Sequence, residues 1–99
     1  MEIDDVRQLS DEDLQIRAAK YAQDFVSGIS VYHNDIAAIW KLIKLTDYEA
    51  LIWSFASRIC NLEPGARRYM IHVAMPMIDA RILTEAFVLV SAKREGGEL

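Results

Sequence analysis

Residues 69–90 read YMIHVAMPMIDARILTEAFVLV, and this stretch decides how the rest of the chain must be arranged. Sixteen of its 22 residues are apolar. A helix of this composition is too apolar to lie on a protein surface, so other elements must cover it. It is not a membrane span, because Asp79, Arg81 and Glu85 would each cost about 2.5 to 3.5 kcal/mol at the centre of a bilayer.

The polar residues of this stretch change sides near its middle. At about 100° per residue, His72, Pro76 and Asp79 lie along one line of a helix. Arg81 and Glu85 lie roughly opposite that line. Such a reversal indicates a kink or break at Pro76, or two halves that are covered from different directions.

Composition and length favour one helical domain, which spans residues 1–99. The apolar share is 53%, which is high for so short a chain and favours association with another surface. The first 13 residues hold six acids and one base, so they resemble neither a secretory signal nor a basic nucleic-acid footprint. Cys60 is the only cysteine, which fits a reducing compartment. We expect a cytoplasmic protein with an acidic arm at residues 1–9.

The clearest start signal of a helix is at Ser10. It is a good N-cap, acidic residues follow it, and a helix is predicted to begin at Asp11. Apolar residues at steps of three and four then continue to Ile43, which predicts one long helix or two nearly collinear ones. Residues 27–35 are weak helix formers, so a break near Gly28 is the alternative.

Two further helices are predicted after this one. Thr46 and Glu49 form a capping-box pattern that would start the second helix, and residues 61–65 form a turn. The third helix is the apolar stretch itself, which would reach Lys93 or Arg94 and leave a disordered tail at residues 95–99. Arg81 and Glu85, one turn apart, are expected to pair.

The sequence therefore predicts an all-α fold, a three-helix bundle that becomes a four- or five-helix bundle if the chain breaks near Gly28 and Pro76. The long helices would extend beyond the short second one. Part of the third helix would then stay uncovered unless a second copy of the chain packs on it. The sequence predicts a homodimer whose interface includes Phe87, Val88 and Val90.

No motif indicates an enzyme, a metal or a cofactor. His33 and Asp35 are two residues apart, so on a helix they would face different directions. His72 and Asp79 share a helix face but are separated by about 10 Å of rise, too far for a hydrogen bond. The chain also has no glycine-rich phosphate loop and no HExxH or GxSxG pattern.

Four residues are the candidate contacts with a protein partner. Trp53 lies roughly 130° from the centre of the apolar face of the second helix, and off-core aromatic residues are enriched at interfaces. Arg67 and Arg68 lie in a helical first turn, where they oppose the dipole and suit an acidic partner. DNA binding through these two arginines and Arg58 is a further alternative. The partner-binding residues predicted are Trp53, Arg58, Arg67 and Arg68.

Taken together, these features favour a small acidic module that binds a larger protein and inhibits or modulates it, as an anti-activator, inhibitor or chaperone does. The alternative is an enzyme, because the size and helix plan resemble those of small helical-dimer enzymes of the chorismate mutase type. Its site would be built from Arg17, Arg58, Arg81 and Glu85.

Overall fold

The computed structural model describes residues 1–26, 31–60 and 79–98, and within these ranges the protein is all-α, as predicted. A short 3-10 helix at Tyr32–Asn34 accompanies five α-helices in these ranges. The α-helices are α1 (Ile3–Arg7), α2 (Asp11–Ala22), α3 (Ile36–Leu45), α4 (Glu49–Ile59) and α5 (Ala80–Glu95).

The helix α5 lies at the centre of the described structure. Residues 83–91 are all buried, so this helix is enclosed around its whole circumference. The 3-10 helix and the other four α-helices all contact it. The sequence prediction of a central apolar helix is confirmed from Ala80 onward, whereas the predicted kink at Pro76 lies outside the described residues.

The burial of α5 bears on the predicted dimer interface. Phe87, Val88 and Val90 each have 0% of their surface exposed in the single chain. The chain itself therefore covers them, so no second copy is needed to bury these three residues, and the homodimer stays a prediction. The reason for this burial is geometric: the remaining helices are short and surround α5, instead of running beside it as two long rods.

The predicted long first helix is also wrong, and the alternative with a break is confirmed. Helix α2 ends at Ala22, and α3 begins at Ile36 after the 3-10 helix. Asp35 caps α3, since its Oδ1 accepts a hydrogen bond from the Ala38 amide at 3.1 Å. The spacing of apolar residues continues through the weak helix formers and therefore predicted one helix. The cap at Asp35 starts a new helix instead. Gly28 itself lies outside the described residues.

The ends of the other elements differ in detail from their predicted positions. Ser10 caps α2 as predicted, with its Oγ 3.1 Å from the Asp13 amide nitrogen. Thr46 instead ends α3, because its buried hydroxyl donates to the Ile43 carbonyl at 2.7 Å. At the far end, α5 includes Glu95, the first residue of the predicted disordered tail.

The acidic amino-terminal arm contains a helix that the sequence analysis did not predict. This helix is α1, and Val6 is fully buried against the core. The Glu2 carboxylate lies 3.3 Å from the Lys93 ammonium group, near the end of α5. Met1, Ile3 and Leu9 also pack against the core, but so few apolar residues among exposed acids give too short a pattern to predict a helix.

Candidate functional site

Trp53 lies beside a second tryptophan that the sequence had placed on a core stripe. Its ring meets that of Trp40 edge to face, with 5.6 Å between the centroids and 83° between the planes. Both side chains are half-buried. The pair joins α3 to α4, so part of the cover that Trp53 was expected to need comes from within the chain.

An apolar and cationic surface surrounds this pair. Ile36, Trp40 and Lys44 follow one another at four-residue steps, so they share one edge of α3. Ile36 is 45% exposed, and the Lys44 ammonium nitrogen lies 5.4 Å from the Trp40 ring centroid. We call Ile36, Trp40, Lys44 and Trp53 the α3–α4 aromatic surface.

The structure does not bring all the predicted partner-binding residues together. Arg58 is exposed and lies over the Phe55 ring at 4.9 Å. It is five residues after Trp53 and therefore about 140° away on the same helix. Arg67 and Arg68 lie outside the described residues. Of the two predicted residues that the structure describes, Trp53 belongs to the α3–α4 aromatic surface and Arg58 does not.

Trp40 and Ile36 are the site residues that sequence reasoning missed. Their signal was the four-residue spacing with Lys44, but the predicted long helix made this spacing look like part of a core stripe. Because the helix does not continue from α2 into α3, the face that α3 buries does not follow from the face that α2 buries. The buried face of α3 consists of Ile39, Leu42 and Ile43, which leaves the edge with Trp40 toward solvent.

The charged residue of this surface is the cation Lys44, which forms no ion pair with a carboxylate within the described ranges. Arg58, on another side of α4, forms none there either. Lys41, also on α3, is exposed. An unpaired ammonium group over a tryptophan ring can contact an acidic group on a partner while the ring contacts apolar atoms.

Among the residues of the enzyme alternative, Arg81 and Glu85 contact each other. The Arg81 Nε atom lies 3.5 Å from the Glu85 carboxylate, which confirms the predicted pair. Arg81 also binds Asp11 and donates to the Leu9 carbonyl at 2.6 Å. Arg17 and Arg58 are exposed, and neither forms an ion pair with Glu85 in the part of the chain described.

Glu85 is a buried carboxyl with a raised pKa. Its residue is 5% exposed, and burial is the main cause of the raised pKa, which the Arg81 guanidinium only partly offsets. One of its oxygens, Oε2, has no hydrogen-bond partner in the part of the chain that the structure describes. The nearby Cys60 thiol also has a pKa raised by burial, so it stays protonated and is a poor nucleophile.

Comparisons with protein-family models, with curated proteins and with solved structures found no match for this chain. None of the helices in the described ranges combines the length and the apolar character needed to cross a bilayer. The fold and the site therefore define the class by themselves: a small all-α protein with a tryptophan pair on its surface.

Proposed function

We propose that this chain is a cytoplasmic protein-binding module that docks on a larger protein through the α3–α4 aromatic surface and inhibits or modulates it. The observation that supports the proposal is the Trp40–Trp53 pair, half-buried beside the exposed side chain of Ile36. Tryptophan contributes disproportionately to binding at the centres of interfaces. A half-buried ring also loses little conformational freedom when a partner covers it.

The same surface indicates the chemistry of the partner. Ile36 and the two rings suit an apolar pocket, and Lys44 suits a carboxylate at the edge of that pocket. Arg58 and Lys41 add positive charge on neighbouring parts of α3 and α4. The favoured partner therefore presents an apolar groove with acidic residues at its rim.

A matched pair of isoleucines tests this proposal. Ile36 and Ile16 are both exposed helical isoleucines, at 45% and 60%, but Ile16 lies on α2. We expect Ile36→Asp to weaken binding at least tenfold, because it places a carboxylate against an apolar and acidic partner surface. Ile16→Asp, which makes the same chemical change elsewhere, should leave the Kd unchanged. The partner is first captured by affinity purification, and the Kd is then measured by calorimetry with purified components.

Trp53→Ala is the second variant in this experiment. We expect it to weaken binding by about 2 kcal/mol or more. Truncation of a fully buried aromatic residue lowers the free energy of unfolding by about 3 to 5 kcal/mol. Trp53 is half-buried, so we expect Trp53→Ala to lower it by less. Thermal unfolding of each variant separates the two effects. Equal binding by Ile36→Asp, Ile16→Asp and the unmodified protein would refute the proposed surface.

A further inference from the structure

A separate cleft lies on the protein where α2 ends, α4 begins and α5 ends. Its volume is about 830 Å³. Its aromatic lining consists of Tyr21, Phe25 and Tyr48. We call it the tyrosine cleft. No residue of the α3–α4 aromatic surface lines it, so nothing about the cleft rests on the function proposed above.

The tyrosine rings of this cleft already hold cations from the chain itself. The Arg94 guanidinium lies 4.8 Å from the centroid of Tyr48, and the Lys20 ammonium group lies 5.5 Å from that of Tyr21. The negative face of an aromatic ring attracts a cation at such distances. Phe25 meets Tyr48 edge to face at 6.1 Å, which extends the aromatic wall.

The carboxylates of the cleft exceed its cations by one. Arg94 binds Asp47 through two contacts, at 2.5 and 3.4 Å, and this pairing holds the pKa of Asp47 below its ordinary value. Lys20 lies 3.9 Å from Glu95. Asp24, the third carboxylate of the lining, is exposed and forms no ion pair within the described ranges.

Contacts with α5 help to position both rings. The Tyr48 hydroxyl is 3.2 Å from the Ser91 hydroxyl on α5. The pKa of Tyr21 is raised, first by burial and then by the interaction of its hydroxyl with the Glu95 carboxylate on the same helix. The ring walls are therefore anchored to α5, and a ligand that enters between them would not have to order them first.

We infer that the tyrosine cleft binds a peptide segment through a lysine or arginine side chain. The carboxylates of the cleft exceed its cations by one, and Asp24 forms no ion pair within the described ranges, so a further cation beside the aromatic wall would be favoured. The net charge of −4 on the chain attracts one from solution. A volume of about 830 Å³ is large for a single ammonium group and is typical of clefts that take several side chains or a drug-sized ligand.

The experiment is a titration of the isotope-labelled full chain followed by amide NMR shifts. The probe is the peptide acetyl-Ala-Arg-Lys-Arg-Ala-amide, and the comparison ligands are its triple-glutamine analogue and spermidine. We expect the basic peptide to shift the amides of Asp24, Ser91 and their neighbours. The glutamine analogue should shift none of them, and spermidine should bind more weakly than the peptide.

Two matched pairs of variants locate the contacts. Asp24→Asn should raise the Kd of the basic peptide about two- to fivefold, whereas Glu12→Gln, which makes the same change of charge at the other end of α2, should not. Tyr21→Leu should weaken binding by a similar factor, whereas Tyr21→Phe, which keeps the ring, should weaken it less. Both variants lose the Tyr21 hydroxyl, so the difference between their Kd values reports the contribution of the aromatic ring.

Several results would overturn the inference. Equal effects of Asp24→Asn and Glu12→Gln would mean that the peptide binds the acidic surface at large. Equal binding of the glutamine analogue would exclude recognition of a cation. Shifts caused by spermidine but not by the peptide would exclude a peptide ligand. The far-ultraviolet circular dichroism spectrum of each variant is the control for folding. It distinguishes a variant that binds the peptide more weakly from one that has unfolded.

Discussion

At the scale of single residues, Glu85 is a buried carboxyl group on the central helix α5. Its Oε2 has no hydrogen-bond partner among the residues that the structure describes, and such a group is costly to bury. The sequence predicted its pair with Arg81, because residues four apart on a helix are neighbours. It could not predict that Arg81 also binds Asp11 and the Leu9 carbonyl, since contacts across 70 or more residues leave no local pattern.

The first prediction is that Glu85→Gln stabilises the protein at neutral pH. Because the pKa of Glu85 is raised on folding, the folded chain binds this proton more tightly than the unfolded chain does. The cost of Glu85 is therefore absent well below its ordinary pKa of 4.5, grows as the pH rises through the folded pKa, and is fully present above it. Glutamine removes this cost, so we expect a gain of about 1 kcal/mol or more at pH 7, measured by urea unfolding.

The gain should shrink as the pH falls toward 4, where both side chains are largely neutral. Glu98→Gln, which changes an exposed carboxylate, is the matched control and should have little effect at either pH. A variant Glu85→Gln that is less stable at pH 7 would show that attraction to Arg81 outweighs the cost of burial.

The position of Trp53 on its helix could be predicted from the sequence, but its contact with Trp40 could not. Its position away from the core face of the second helix was visible from the spacing of apolar residues alone, and the residue is indeed half-buried. Its neighbour Trp40 belongs to another helix, and no pattern within α4 could identify it. Periodicity gives the face of a helix on which a side chain lies, but not the element that meets that face.

At the scale of elements, the capping residues decide where helices begin. Ser10, Asp35 and Asp79 each accept a hydrogen bond from an amide three residues ahead. Asp35 has the residue type of a cap, but the apolar stripe that continues past it favours an uninterrupted helix. Thr46 also has the residue type of a cap, yet its buried hydroxyl binds backward to Ile43. Residue type alone does not distinguish the end of one helix from the start of the next.

The second prediction concerns the cap at Ser10. Ser10→Ala removes the acceptor of the Asp13 amide and should lower the free energy of unfolding by about 0.5 to 2 kcal/mol. Ser10→Asp keeps an acceptor at the same place and should lose little or nothing. Urea unfolding followed by circular dichroism measures both. Equal stability of the alanine and aspartate variants would mean that the cap contributes nothing to α2.

At the scale of the whole molecule, the composition of residues 69–90 predicts that this stretch is central, but the predicted lengths of the other helices are wrong. Residues 69–90 were too apolar for a surface, and their described part is indeed central. We then assumed long neighbouring helices and inferred a second copy of the chain. Short helices can surround a central one from several directions, which covers more of it than two long parallel helices would.

The third prediction separates these two arrangements. Phe87 is fully buried within the single chain, so Phe87→Ala should lower the free energy of unfolding by about 3 to 5 kcal/mol. The midpoint of unfolding should be independent of protein concentration. If Phe87 instead formed a dimer interface, the midpoint would rise with concentration. Ile82→Ala, at a half-buried position of the same helix, should cost less and serves as the comparison.

The place of α5 in the sequence has a consequence for biosynthesis. A ribosome adds about 5 to 20 residues per second and makes α1 to α4 before residues 80–95 exist. The apolar sides of the earlier helices pack on α5, so they have no complete core while the nascent chain is still growing. The core therefore closes only after the last of these helices has left the exit tunnel. Until then, the apolar sides of α1 to α4 lack the helix that covers them in the folded protein.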